Sequence, residues 1–319
     1  MRVVSFLHSV VLVCAMCVAS PGIAQDRSED ATYPNKAVKV VVPYAPGGFP
    51  DTITRIVGQR LAETLGQQFI VENRGGAGGI AGSEAVARAS PDGYTLLMAS
   101  EGQIAINPAI YSKLPYDSIR DFTPISIVAI SPLFLAVHAS VPVKTFAELV
   151  ALAKSKPGEL TYGSSGTGSI HHITMEALKL ALGLDIVHVP YKGSGQSVPA
   201  LIGGQVSMSL AALPSLASHV KASRVRLLAN NTAHRSPQAR DVPTIAELGT
   251  PGFDYPATVG LLGPAGMSRG IVQKLYAEIV KAVNHPDTLQ RFAAVGVDPV
   301  GGSPEAYAAG NSADLERYL

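Results

Sequence analysis

The chain has no tryptophan and only two cysteines, Cys14 and Cys17, both near its start. Past residue 17 there is no thiol, which excludes disulfides, thiolate nucleophiles and cysteine metal sites from the remainder. That composition is compatible with an oxidising compartment. Charge is scarce and balanced, with 25 basic and 24 acidic residues making up 15% of the chain, so nothing steers it toward nucleic acid or an anionic membrane. After Val10–Val18 no second long apolar run occurs, and the rest reads as soluble. Catalytic signatures are missing too. GSSGTG at 163–168 fails the G-x-S-x-G elbow because its second glycine falls one place early. There is no Walker sequence and no pair of carboxylates in a glycosidase context. Gly76-Ala77-Gly78 with Ala81 is a degenerate dinucleotide fingerprint without a convincing acidic partner.

What the first residues do have is the pattern of a secretory signal peptide: Arg2, the apolar run 10–18, then Pro21-Gly22-Ile23-Ala24 with small residues where a peptidase cuts. The apolar run is short for a membrane anchor. Val13 and Met16, which precede the two cysteines, do not suit a lipid-attachment box. Cleavage near Ala24 leaves 295 residues (319 less 24) and removes one basic residue and no acidic one, so the mature chain is formally neutral. Residues 25–36 are polar and read as a loose leader. The remaining length suits one large or two medium domains.

The stretch from Val38 to Leu65 organises the rest. Val38, Val40, Val41 and Val42 suit a strand covered on both faces. Gly47 and Gly48 make a turn that allows close backbone approach. Pro50 and Asp51 suit the first turn of a helix. Ile53, Ile56, Val57 and Leu61 recur at helical spacing, and Gly66 is a stop. Strands are expected at 69–71, 94–98, 133–137, 160–163, 186–189, 206–210 and 226–229. Helices are expected at 83–89, from Thr145-Phe146-Ala147-Glu148 (a capping box) to Pro157, and at 169–182, 198–202, 268–283, 288–295 and from 303 onward. Residues 100–132 show no clear period. Alternating strands and helices in the first part argue for a parallel α/β sheet. The strand–glycine turn–helix unit at 40–61 recurs at 160–182 without useful residue identity. That is the pattern of two α/β lobes, each offering a helix start to a shared cleft.

A helix start beside a glycine turn offers free N–H groups to an anion. The loop 43–51 has no Lys or Arg, so backbone dipoles would hold an anion there. Ser164, Ser165, Thr167 and Ser169 add hydroxyls, and one of them is the expected N-cap of the next helix. Ordinary βα loops also favour glycine, so the pattern alone leaves binding open. His171 and His172 have only His188 as a nearby partner type, which is too little for a metal site; no metal and no cofactor are expected. Lys192 is the one base in the glycine-rich loop 191–195, and either complements a ligand charge or is solvated. Tyr191 is a pocket wall or core.

Several segments together resemble the Bug family, the extracytoplasmic solute receptors of tripartite tricarboxylate transporters. They are VVPYAPGG at 41–48 with Asp51, VENRGGAGG at 71–79, PDGYTLLM at 91–98, INPAIYSKLPYD at 106–117 leading into DFTPIS, LTYGSSGTGSIHH at 160–172, VHVPYKGSG at 187–195, LIGGQV at 201–206, RSPQARDVPTIAELG at 235–249 and LLGPAG at 261–266. They run in order through nearly the whole mature chain. The resemblance implies an α/β, type II periplasmic-binding-protein fold, with lobe 1 at 37–130 plus 253–319 and lobe 2 at 131–252. It implies a non-enzymatic periplasmic receptor, read as a monomer, that closes over a small organic carboxylate and delivers it to the transporter's membrane subunits. A membrane sensor kinase is the alternative recipient. An α/β enzyme using the glycine loops for a phosphate or cofactor is the rival of another class. Carried over residue by residue, the first loop is Ala45, Pro46, Gly47, Gly48, Phe49 and Asp51. The second is Ser164, Gly166, Thr167 and Gly168, with His172 at the helix start. Tyr191, Lys192 and Gly193 line the far side, with Ala211. The chain departs from the family at Phe49-Pro50, at Leu210-Ala211-Ala212 and at Thr258-Val259-Gly260. These changes point to a more apolar pocket, and to an aromatic or aliphatic carboxylate over an amino acid.

Overall fold

Val38–Val42 form the first strand, β1, and its side chains alternate between two cores. Val38, Val40 and Val42 face one core, and Val41 faces the other. The expectation of a strand covered on both faces holds. The computed structural model describes residues 32–318; the expected signal peptide and residues 25–31 lie outside the described residues. The end of the expected leader is docked, a correction to the reading of 25–36 as loose. Tyr33 is buried, its hydroxyl donates to the Gly93 carbonyl at 2.7 Å, and Lys274 Nζ donates to its carbonyl.

After β1 come α1 (Phe49–Leu65), β2 (Phe69–Asn73), α2 (Ile80–Ala87), β3 (Thr95–Ala99), a π-helical turn at Gly102–Ile106, α3 (Asn107–Ile110) and β4 (Phe122–Ser131). Next are β5 (Leu133–His138), α4 (Phe146–Ser155), β6 (Thr161–Ser164), α5 (Ile170–Leu182), β7 (Val187–Pro190), α6 (Ser194–Ile202), β8 (Met208–Ala212), α7 (Leu213–Lys221) and β9 (Val225–Asn230). The chain closes with β10 (Ala257–Pro264), α8 (Arg269–Val283), α9 (Pro286–Ala294), β11 (Asp298–Pro299) and α10 (Pro304–Tyr318).

Two sheets result, one six-stranded in the order β11-β4-β10-β3-β1-β2, the other five-stranded in the order β7-β6-β8-β5-β9. In each sheet three strands run parallel, β2-β1-β3 and β7-β6-β8. Beside each set lies an antiparallel strand that arrives from the other lobe, β10 against β3 and β5 against β8. The strands of the first part, β1, β2 and β3, pair in parallel as their alternation with helices predicts, and the sheets are mixed because of the strands that cross between lobes. The repeat of architecture seen at 40–61 and 160–182 extends to the whole lobe.

The lobes are joined at Pro132, between β4 and β5, and by the segment between β9 and β10. Asn231, fully buried, ties the two crossings together. Its side chain accepts from the Leu133 N–H at 2.7 Å, its own N–H donates to the Leu133 carbonyl at 3.0 Å, and its carbonyl accepts from the Tyr255 N–H at 2.8 Å. Each sheet carries apolar side chains on both faces. Leu133, Leu135 and Val137 pack with Phe146, Met175 and Leu178, while Phe134 and Ala136 pack with Val198, Leu201 and Leu216. This is the two-lobed type II arrangement, with the C-terminal ends of β1 and β6 delivering α1 and α5.

Candidate functional site

The β1–α1 turn is held by Asp51. Its carboxylate accepts from the Gly47 N–H at 2.9 Å, from Asn73 Nδ2 at 3.0 Å and from Arg55 Nε at 3.1 Å. Burial pulls this carboxyl upward, but the bonds from Arg55, Gly47 and Asn73 outweigh it and hold the group below its ordinary value. Gly47 has φ +83°, in the left-handed region that glycine tolerates. Gly48 caps α1 with extended backbone and no side-chain bond.

The β6–α5 turn is held by its hydroxyls. Ser164 Oγ lies 2.6 Å from His188 Nε2 and accepts from the Gly166 N–H at 3.1 Å. Ser169 is the side-chain N-cap, accepting from the His172 N–H at 3.3 Å. Ser165 Oγ meets His171 Nδ1 at 2.6 Å. Burial pushes His171 down to about 4, so its imidazole is neutral around pH 7. His172 stacks on His188 with ring centres 4.2 Å apart and accepts from the Gly168 N–H at 3.3 Å. No group of His, Cys, Asp or Glu among the described residues is arranged to hold a metal ion.

The two lobes touch through these turns. The Ala45 N–H donates to the Lys192 carbonyl at 3.2 Å. A Cβ built on Gly193 would lie 3.0 Å from Ala45 N, one on Gly195 would lie 2.2 Å from the Pro46 carbonyl oxygen, and one on Gly48 would lie 2.7 Å from Ser194 Oγ. Backbone thus approaches backbone across the interface at a distance that only glycine permits. On the other side, Gly166 and Gly168 bring the second turn against Tyr191 and Asn107.

Between the lobes lies a narrow, nearly closed cavity of about 20 Å³. It is lined by Tyr44, Phe49 and Pro50 from the first turn, Ser100 and Glu101 after β3, Ser165, Ile170 and His171 from the second turn, Ser194 at the start of α6, and Ala257 and Thr258 of β10. Broader hollows exist, such as one of about 480 Å³ around Tyr111–Arg120, but they are open surface depressions of a single lobe. The interlobe cavity contains no Lys or Arg.

Of the residues expected at the site, Phe49 lines this cavity. Ala45, Pro46, Gly48, Lys192 and Gly193 form the interlobe contact at its edge. Gly47, Asp51, Ser164, Gly166, Gly168 and His172 shape the two turns, and Thr167 is exposed within the second. Tyr191 is half-buried against Gly163, and the Lys192 side chain is exposed. Ala211 is fully buried in the lobe 2 core beside Phe134 and away from the cavity walls. Tyr44, Ser100, Glu101 and Ser194 were not anticipated. Glu101 had a readable signal, being the sole charge in the apolar stretch from Tyr94 to Ile106.

The amides differ from expectation as well. The N–H groups of Ala45, Gly47, Gly166 and Gly168 are all taken by internal acceptors. Those of Gly48 and Phe49 at the start of α1, and of Ile170 and His171 at the start of α5, have no hydrogen-bond acceptor among the described residues. Phe49, Ile170 and His171 line the cavity. Two helix N-termini with unsatisfied donors therefore converge on one narrow space, which is an arrangement suited to an anion.

Such a fold and cleft define a two-lobed solute-binding protein, and sequence comparison agrees. The profile described as tripartite tricarboxylate transporter family receptor matches residues 53–317, and the chain belongs to that family. Protein BugT of Bordetella pertussis is 34% identical over 297 residues, covering 93% of this chain and 91% of that one. Two solved proteins of Rhodopseudomonas palustris are similar in structure. Rpa4515, solved with adipate, has TM-score 0.87 and 34% identity, covering 90% of this chain and 96% of that one. MatC, solved with bound malate, has TM-score 0.85 and 32% identity, covering 90% and 98%.

Proposed function

We propose that this chain is a periplasmic receptor that captures one small organic carboxylate between its lobes and delivers it to the membrane subunits of a tripartite tricarboxylate-type transporter. The observation that carries the reading is the meeting of the α1 and α5 N-termini, with unpaired N–H groups, at a cavity without a cationic side chain. Charge-assisted hydrogen bonds contribute roughly 1.5–3 kcal/mol each, so two or three account for micromolar affinity. The adipate and malate complexes of relatives support the ligand class. The site proposed comprises the first turn from Ala45 to Asp51, the second from Ser164 to His172, and the Tyr191–Gly193 edge. Lobe 1 (37–130 and 253–319) and lobe 2 (131–252) close over the acid by bending at the two crossings, and ligand stabilises the closed form. Residues 1–24 serve as the export signal. Among the described residues no helix is long and apolar enough to cross a membrane.

A thermal-shift screen against a carboxylate panel tests the reading. At a ligand concentration 100 times Kd, stabilisation of about 2.7 kcal/mol is expected. The absence of a shift with every acid, together with turnover of some substrate, would overturn it. Native mass spectrometry of the purified protein would identify a co-purifying ligand.

A further inference from the structure

Glu101 is the one ionisable carboxyl in the wall of the interlobe cavity, and it is 6% exposed. It sits where β3 enters the π-helical turn, and β10 holds it from the side. Thr258 donates to its Oε2 twice, from Oγ1 at 2.6 Å and from N–H at 3.0 Å. Its other oxygen, Oε1, is buried and has no hydrogen-bond partner. A buried carboxylate oxygen left unpaired is costly, and it is found where something else completes it. No Lys or Arg lines the cavity to neutralise it.

We propose that Glu101 is a specificity-determining residue, whose Oε1 accepts a hydrogen bond from an O–H or N–H group on the bound acid and whose charge keeps a second carboxylate out of that end of the cavity. The inference rests on the carboxylate-receptor reading and deepens it. The acid's own carboxylate goes to the α1 and α5 N-termini. The distal end of the ligand meets an acceptor, so hydroxy- or amino-substituted monocarboxylates are favoured over dicarboxylates.

The preference depends on pH. Burial pushes the Glu101 carboxyl up to about 7, and Asp314 adds to the rise. The groups facing it are Tyr44 from the first turn, Tyr307 and Asp314 from α10, and neutral His171 across the cavity. None supplies a positive charge. Below pH 7 the carboxyl is protonated and becomes a donor, and above it is an acceptor only.

The test compares wild type with E101Q, using calorimetry at pH 6 and pH 8 on hexanoate, adipate, 6-hydroxyhexanoate and 6-aminohexanoate and on the matching benzoate, terephthalate, 4-hydroxybenzoate and 4-aminobenzoate. At pH 8, wild type should bind the hydroxy or amino member of at least one series about tenfold or more tighter than the dicarboxylate. Lowering the pH to 6 should narrow that gap. In E101Q the side chain keeps an acceptor for Thr258 and presents an amide donor, so the dicarboxylate should gain about tenfold and the pH dependence should vanish. The wild-type pH arm stands even if E101Q folds poorly. Unchanged ligand order and affinity in folded E101Q, or a wild-type preference for dicarboxylates at pH 8, would overturn the assignment of Glu101 while leaving the receptor reading intact. Failure of every acid to bind wild type would overturn both.

Discussion

Asp51 and Glu101 are both buried carboxyl groups near the interlobe contact, and their neighbours drive them in opposite directions. Asp51 has cationic and N–H partners on both oxygens, so it is charged, and D51A would remove the acceptor of the Gly47 N–H, one of the two acceptors of Asn73 Nδ2 and the partner of Arg55. A loss of about 2–3 kcal/mol is expected, read from the urea midpoint. Because its native value is lowered, Asp51 contributes stability above its ordinary value of 3.8 and loses it as pH falls further. Glu101 behaves oppositely. Its native value is raised from 4.5 to about 7, so the native state holds a proton that the unfolded state has released. Its contribution is full below pH 4.5 and is lost as pH climbs through 7. E101Q should therefore gain stability relative to wild type from pH 5 to pH 8, by on the order of 3 kcal/mol. A difference in Tm that stays flat across that range would contradict the placement of Glu101. Asp51 was legible in the sequence because it stands at a helix start after a glycine turn. Glu101 is less legible, its only local signal being a lone charge in an apolar stretch without period, because its burial depends on β10, which lies more than 150 residues later.

At the scale of elements, the helices with clear stop signals match the sequence reading. The expected stop at Gly66 has φ +72°, in the left-handed region, and Gly183 ends α5 with φ +64°. Thr145 caps α4 as its box predicts, accepting from the Glu148 N–H at 3.2 Å. Three strands were not anticipated, β4, β10 and the two-residue β11. β4 carries Pro124, which argues against an interior strand. β10 is broken up by Gly260 and Gly263, and a Cβ at Gly260 would lie 2.3 Å from the Tyr307 ring. Gly260 records the close approach of α10 and Gly263 that of the Met267 side chain, tertiary facts invisible locally. α7 was missed for a similar reason, since Pro214 and two serines obscure its period. The start of α1 yields a test. Aspartate is a good N-cap, so G48D should leave the Tm within a few degrees. It places a charge and a Cβ where the lobes meet, 2.7 Å from Ser194 Oγ, and should weaken carboxylate binding at least 100-fold by calorimetry.

At the scale of the whole molecule, each lobe's sheet contains one antiparallel strand contributed by the chain crossing from the other. The crossings are pinned by Asn231, so the closure proposed above is a bending at these crossings. Gly195 probes that motion. Alanine is preferred over glycine within a helix, so G195A should not harm lobe 2. Its Cβ would meet the Pro46 carbonyl oxygen at 2.2 Å across the interface, which blocks closure. Small-angle scattering should show wild type contracting with a bound acid and G195A remaining expanded with weaker binding. Equal contraction in both would mean that the lobes close by another route. The central claim, that unpaired amides at two helix starts grip a carboxylate between the lobes, is tested most directly by amide chemical shifts on titration with an acid that stabilises the protein. The account predicts that Gly48, Phe49, Ile170 and His171 are among the amides that move most. Large shifts elsewhere, with these four unmoved, would contradict it.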